Sequence, residues 1–211
     1  MKGINKMKFE GFTRNDFNTF NIEGLDERMK AIQERIQPKF QIIGDELSQE
    51  LSMIAGNEMF LHIAKHARRK VNPPKDTWLA IAANKRGYKQ HPHFQIGLFD
   101  DHVFIWLAFI YELPRKTDIA KTFLKQIDTL EEIVPKHYVV SLDHMKKDCI
   151  AMEKLDLEAS LIRFRDVKKA EFLIGKHIDA NDPILQDGEA FMQMAKETFQ
   201  TLLPIYKLSF E

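Results

Sequence analysis

The sequence predicts an α+β fold, a two-layer sandwich in which a mainly antiparallel sheet is flanked by helices. Three observations carry that expectation. Stretches towards both ends repeat apolar residues every three or four positions, as helix faces do. The middle changes to short apolar runs rich in aromatic and β-branched residues and bounded by turn signals. Those runs follow one another directly, which favours antiparallel pairing over helical crossovers. With 211 residues, 44% hydrophobic and 29% charged, the chain suits a single globular domain over 1–211, residues 1–8 being read as an N-terminal extension.

Thr13 and Asp16 have the spacing of a helix cap, followed by Phe17 and Phe20. Leu25, Met29, Ile32, Ile36, Phe40, Ile43, Leu47, Leu51 and Ile54 then keep one helical phase. Pro38 must kink that line or divide it, and Gly56-Asn57 closes it. "MFLHIAKHA" (Met59 to Ala67), "TWLAIAA", "HFQIGLF" and "VFIWLAFIY" read as strands. Asp100-Asp101 allows only a tight hairpin between the last two, and the wholly apolar fourth run suits a central strand covered on both faces. A helix through Ile119, Phe123, Ile127 and Leu130 must stop before Pro135. "HYVVSL" is strand-like, 148–163 helical, and "AEFLIGKHI" a further strand. Asp182-Pro183 offers a cap for a last helix that runs through Phe191, Ala195, Phe199 and Leu202 to Pro204.

Composition excludes several functions. Cys149 is the only cysteine, so there is no internal disulfide or cysteine-based zinc site, and nothing marks it as a nucleophile. The start, "MKGINKMKFEGF", lacks the apolar core of a signal peptide. The longest apolar run falls well short of the ~20 residues that span a membrane. A cytoplasmic protein without membrane association is expected. Neither a Walker-type loop nor GxGxxG is present, and no cofactor is expected.

Overall charge balance, 31 basic against 31 acidic residues, conceals a local asymmetry. Between His62 and His93 stand eight Lys or Arg against one acid, Asp76, together with His62, His66, His91 and His93. An excess of this kind holds an anion even on a neutral protein. Arg68, Arg69, Lys75, Lys85, Arg86 and Lys89 fall in the two loops that flank the second strand and are the expected ligand-binding residues. "NPPKD" sets Lys75 and Asp76 on a stiff bend, while Gly87 permits a turn that presents Tyr88. If the first three strands form a meander, the two loops lie at opposite ends of a strand roughly 23 Å long. One compact phosphate pocket is then excluded, although an elongated anion reaches both ends; strand order is left open.

The histidines have no metal-ligand pattern: HExxH is absent, and His62 and His66 on one strand stand ~13 Å apart. His91 and His93 share a face at ~6.6 Å, but hydrogen-bonded histidines are the expected reading, with no metal. In "SLDHMKK", Asp143 and His144 follow a strand directly, where catalytic groups often sit; helix capping by Ser141 or Asp143 is the simpler explanation. Arg163 and Arg165 of "RFRDVKK" either extend the basic surface or form a solvated helix end.

The motifs "GFTRNDFNTFNIEGLDERM", "HIAKHARRKVNPPKDTW", "RGYKQHPHFQIGLFDDHVFI" and "RFRDVKKAEFLIGK" resemble the YktB family, uncharacterised bacterial proteins found mainly in Firmicutes. The resemblance runs from about Phe9 to Tyr206. It implies a two-layer α+β fold in the bacterial cytoplasm and supplies no activity, cofactor or catalytic residue. On the residues themselves, a non-catalytic module for an anionic partner, nucleic acid or a phosphorylated metabolite, leads. A small enzyme on a phosphorylated substrate, with Asp76, His66 or His93 in acid/base work, is the alternative. A structural or protein-interaction domain, with basic loops facing bulk water, is the third.

Overall fold

The computed structural model describes residues 8–211. Apart from Lys8, which pairs with Glu189, the expected N-terminal extension lies outside the described residues. Helix α1 (Arg14–Asn18) starts at the anticipated cap: the Asp16 carboxylate accepts the Thr13 N–H at 2.6 Å and also binds Lys39 Nζ. The long apolar line forms α2 (Leu25–Ala31), one π turn (Ile32–Ile36) and α3 (Gln37–Ala55). The π turn immediately precedes Pro38, whose ring and missing N–H an ordinary turn does not accommodate. Gly56, left-handed at φ 80°, ends the helix by donating to Ser52 O.

Strands β1 (Phe60–Ile63), β2 (Thr77–Ala82), β3 (His93–Leu98) and β4 (His102–Phe109) form an antiparallel meander. The β3–β4 turn closes on the expected two residues, with Phe99 N–H donating to His102 O. Helices α4 (Lys116–Lys125) and α5 (Ile127–Ile133) follow, then β5 (Val139–Ser141), the short edge strand β6 (Ile150–Ala151), α6 (Leu157–Asp166), β7 (Phe172–Asp179) and α7 (Gly188–Leu208). The sheet order is β1-β2-β3-β4-β7-β5-β6, so β4 is central, as its apolar sequence demands. Among the described residues, no helix is long and apolar enough to cross a membrane.

Three expected boundaries move. β1 stops at Ile63 because His66 adopts φ 49° and turns the chain off the sheet. The stretch 148–154 is edge strand and 3-10 turn rather than helix; α6 begins only where Asp156 accepts the Ala159 N–H. Helix α7 passes through Pro204 instead of stopping there. The next turn buries Ile205 and Tyr206, and ~2 kcal/mol for each such side chain offsets the ~3 kcal/mol of an interior proline.

The two faces of the sheet differ in kind. Alternate residues Leu79, Ile81, Phe94, Ile96, Ile105, Leu107, Phe172 and Ile174 meet the helices in the main core. The opposite face carries Trp78, Ala80, Phe104, Trp106, Ala108 and Leu173 under Ala64, Tyr88 and Cys149. Loops, not helices, cover it.

Candidate functional site

Polar chemistry collects under those loops. His62, His93, His102 and His177 point from the strands to the loop-covered face, and His66 and His144 come over it from loops, six of the chain's eight histidines. Strand alternation alone places the first four there.

The meander puts the 64–76 and 83–92 loops at opposite ends of β2, yet both line one cleft. The expected exclusion of a compact pocket is therefore corrected. The cause is that each loop doubles back over the face. Gly87, left-handed at φ 68°, starts a 3-10 turn (Tyr88–Gln90) that carries Tyr88 to the far end of β2, where its hydroxyl accepts the Trp78 Nε1–H at 2.8 Å. From the other side, a turn closed by Arg69 N–H on His66 O brings His66 to 3.1 Å from Thr77 Oγ1 and edge-on to Trp78. The resulting cleft, about 550 Å³, is bordered by His66, Arg68, Arg69, Trp78, Lys89 and His144.

Of the expected ligand-binding cations, the fold gathers Arg68, Arg69 and Lys89 and disperses the rest. Lys89 lies 5.5 Å over the Trp78 ring and 3.8 Å from Glu112. Arg69 is half-buried, bonded to Asn72 O, and Arg68 is exposed at the rim. Lys75, Lys85 and Arg86 are exposed and do not line the cleft; Lys85 packs instead over Phe60. Arg163 also lies elsewhere, and Arg165 pairs with Asp166. Arg28, which the sequence did not single out, braces the proline corner by donating to Pro74 O and Ile22 O.

The three residues considered for acid/base work occupy different positions. His93 is fully buried, donates through Nδ1 to His91 O and meets Gln95 Nε2 at its other nitrogen. Burial drives its pKa down to about 3, and it is a neutral packing group. His66 borders the cleft, and desolvation, aided by Arg69 and Lys89, lowers it to about 4. Asp76 is buried at the start of β2. Desolvation raises its carboxyl to about 6, although His144, Arg69 and Lys89 all pull the other way.

The best-formed dyad is one the sequence reading missed. β5 pairs with β7 with Ser141 opposite Leu173, so the turn after β5 meets the residue before β7. Glu171 there is 2% exposed. It accepts the His144 backbone N–H at 2.7 Å and His144 Nδ1–H at 2.8 Å, with Tyr111 N–H at 3.4 Å. A carboxylate accepts, so Nδ1 is the donor in this pair and Nε2 is the nitrogen turned away from Glu171. Among the described residues Nε2 has no hydrogen-bond partner, it is not sealed in, and the ring forms one wall of the cleft. A single acid immediately before an apolar strand was the available signal.

Helix capping by Asp143 does not occur; its Oδ1 accepts the Met145 N–H in a tight turn. Asp143, His144 and Glu171 each bring a potential metal ligand within 4.8 Å of the others, but these hydrogen bonds already engage them. On the same face, Cys149 Sγ lies 3.2 Å from His177 Nδ1, and burial pushes the thiol pKa up, the opposite of nucleophile activation.

Comparison with known proteins supplies the family. Residues 12–206 match the family model described as Domain of unknown function (DUF1054). The chain belongs to that family. It is 62% identical over 203 residues to a UPF0637 protein of Shouchella clausii, covering 96% of each chain. A UPF0637 protein of Oceanobacillus iheyensis is 62% identical over 201 residues, 95% of this chain and 97% of that one. One from Listeria innocua is 51% identical over 205, covering 97% and 100%. The expected membership of an uncharacterised bacterial family, and the α+β fold with an antiparallel sheet, both hold.

Proposed function

We propose that this DUF1054 protein binds a small phosphorylated ligand in the cleft beside Trp78, in the cytoplasm. One observation carries the reading: Arg68, Arg69 and Lys89 arrive from two separate loops at the rim of a single cavity of about 550 Å³. That volume suits a metabolite-sized ligand. Guanidinium groups match phosphate oxygens in a fork, and the Trp78 ring between His66 and Lys89 offers a flat wall for an attached ring system. The scattered exposure of Lys75, Lys85 and Arg86, with no net charge on the chain, favours a small anion over a nucleic-acid track.

Calorimetric titration with inorganic pyrophosphate and with a nucleoside monophosphate at low salt tests this. Binding to one site is expected. Arg68→Ala with Arg69→Ala should weaken it by roughly a hundredfold or more, since each charged hydrogen bond lost contributes ~1.5–3 kcal/mol. Lys85→Ala with Arg86→Ala should leave it unchanged. Absence of binding, or equal losses in both double variants, would overturn the reading.

A further inference from the structure

We propose that the cleft is also a hydrolytic active site in which His144 serves as general base towards a bound phosphate ester. The proposal rests on the binding reading above and extends it to chemistry. Its basis is the arrangement around His144. A buried carboxylate, Glu171, holds Nδ1–H at 2.8 Å, and the opposite nitrogen, without a hydrogen-bond partner among the described residues, belongs to a ring that walls the same cavity as the rim cations. A histidine oriented by a buried acid, with its ring on the wall of a cationic cleft, is the arrangement general-base chemistry uses. His93, buried at the same face, has both nitrogens engaged, and His102, whose Nδ1 meets Asp101, keeps its Nε2 sealed inside the protein, away from the cleft lining.

The lining also identifies the nucleophile. Among the described residues the cleft wall contains no Ser, Thr or Cys, and the Tyr88 hydroxyl accepts from Trp78 with its pKa pushed up to about 12. Glu112, which also lines the cleft, faces Lys89 at 3.8 Å, and the attacking group in the proposed step is water. His144 Nε2 takes a proton from that water as its oxygen bonds to phosphorus. The ester P–O bond breaks, and its electron pair leaves with the departing oxygen. Imidazolium then gives its proton to that oxygen or to solvent, so ester and water become phosphate and alcohol. Arg68, Arg69 and Lys89 hold the charge that builds on the phosphoryl oxygens. Glu171 does not touch substrate; it is a positioning residue that fixes the tautomer and the ring.

The test uses p-nitrophenyl phosphate and bis(p-nitrophenyl) phosphate, whose leaving group needs no protonation, with pyrophosphate as competing ligand. Turnover is expected with at least one ester. His144→Asn keeps a donor for Glu171 but has no equivalent of Nε2. It should lower kcat by 10²-fold or more while pyrophosphate affinity stays within about threefold. Glu171→Gln should lower kcat at unchanged KM, with partial recovery in Glu171→Asp. If the unaltered protein binds these esters without turnover, or His144→Asn turns them over at the original rate, the hydrolytic proposal fails and the binding site stands. If neither pyrophosphate nor ester binds, the binding reading fails first.

Discussion

Asp76 shows at the scale of one residue what a buried carboxyl costs the fold. Its carboxyl is raised from 3.8 to about 6 by burial, so the native state holds that proton more tightly than the unfolded chain. Stability from this group declines as pH rises through that window, and above it the charged form carries a penalty on the order of 3 kcal/mol. Asp76→Asn should therefore raise the melting temperature at pH 7.5 by roughly 6–12 °C and change it little at pH 4, as calorimetry at the two pH values would read. Among the described residues His66 alone, apart from glycines, has a positive φ. That strain is at the turn that presents Arg68 and Arg69.

At the scale of elements, the loop after β2 decides whether there is a site at all. Gly87 has open space around its Cα, the nearest atom to an added Cβ being 3.9 Å away. Any loss on Gly87→Ala is thus backbone strain at φ 68°, ~1 kcal/mol. A melting temperature lower by roughly 2–4 °C, together with weaker pyrophosphate binding, is the expected result of thermal and calorimetric titration. Strand sequences, the hairpin at Asp100-Asp101 and the Pro38 break were legible because periodicity and proline geometry are local. The course of the loops was not. Charge density at His62–His93 was plain in the sequence, but Arg68, Arg69 and Lys89 meet only because the Trp78–Tyr88 hydrogen bond draws one loop back across the sheet. The same reason hid Glu171, whose partner lies 27 positions away and is brought to it by the β5–β7 register. Helix 148–163 was misplaced because its first half pairs at the sheet edge, where tertiary contact overrides periodicity.

Over the whole molecule, one sheet face is a helix-packed core and the other a loop-roofed chamber rich in histidine. His66, His93 and His177 are depressed to about 4, 3 and 3, in each case chiefly by burial. The unfolded chain takes up these protons below pH ~6.5 while the native state refuses them. Stability is therefore complete above that pH and falls as pH drops towards the native values, by up to ~1.4 kcal/mol per histidine per pH unit. Urea unfolding at pH 7 and pH 5 should show the loss, and equal midpoints would contradict buried neutral imidazoles. The account depends above all on two loops from opposite ends of β2 forming one anion site. Crystals soaked in tungstate address that directly through its anomalous signal. The account predicts a single strong peak within hydrogen-bonding reach of Arg68, Arg69 and Lys89, close to His144. Peaks confined to Lys75, Lys85 and Arg86, with none in the cleft, would contradict it.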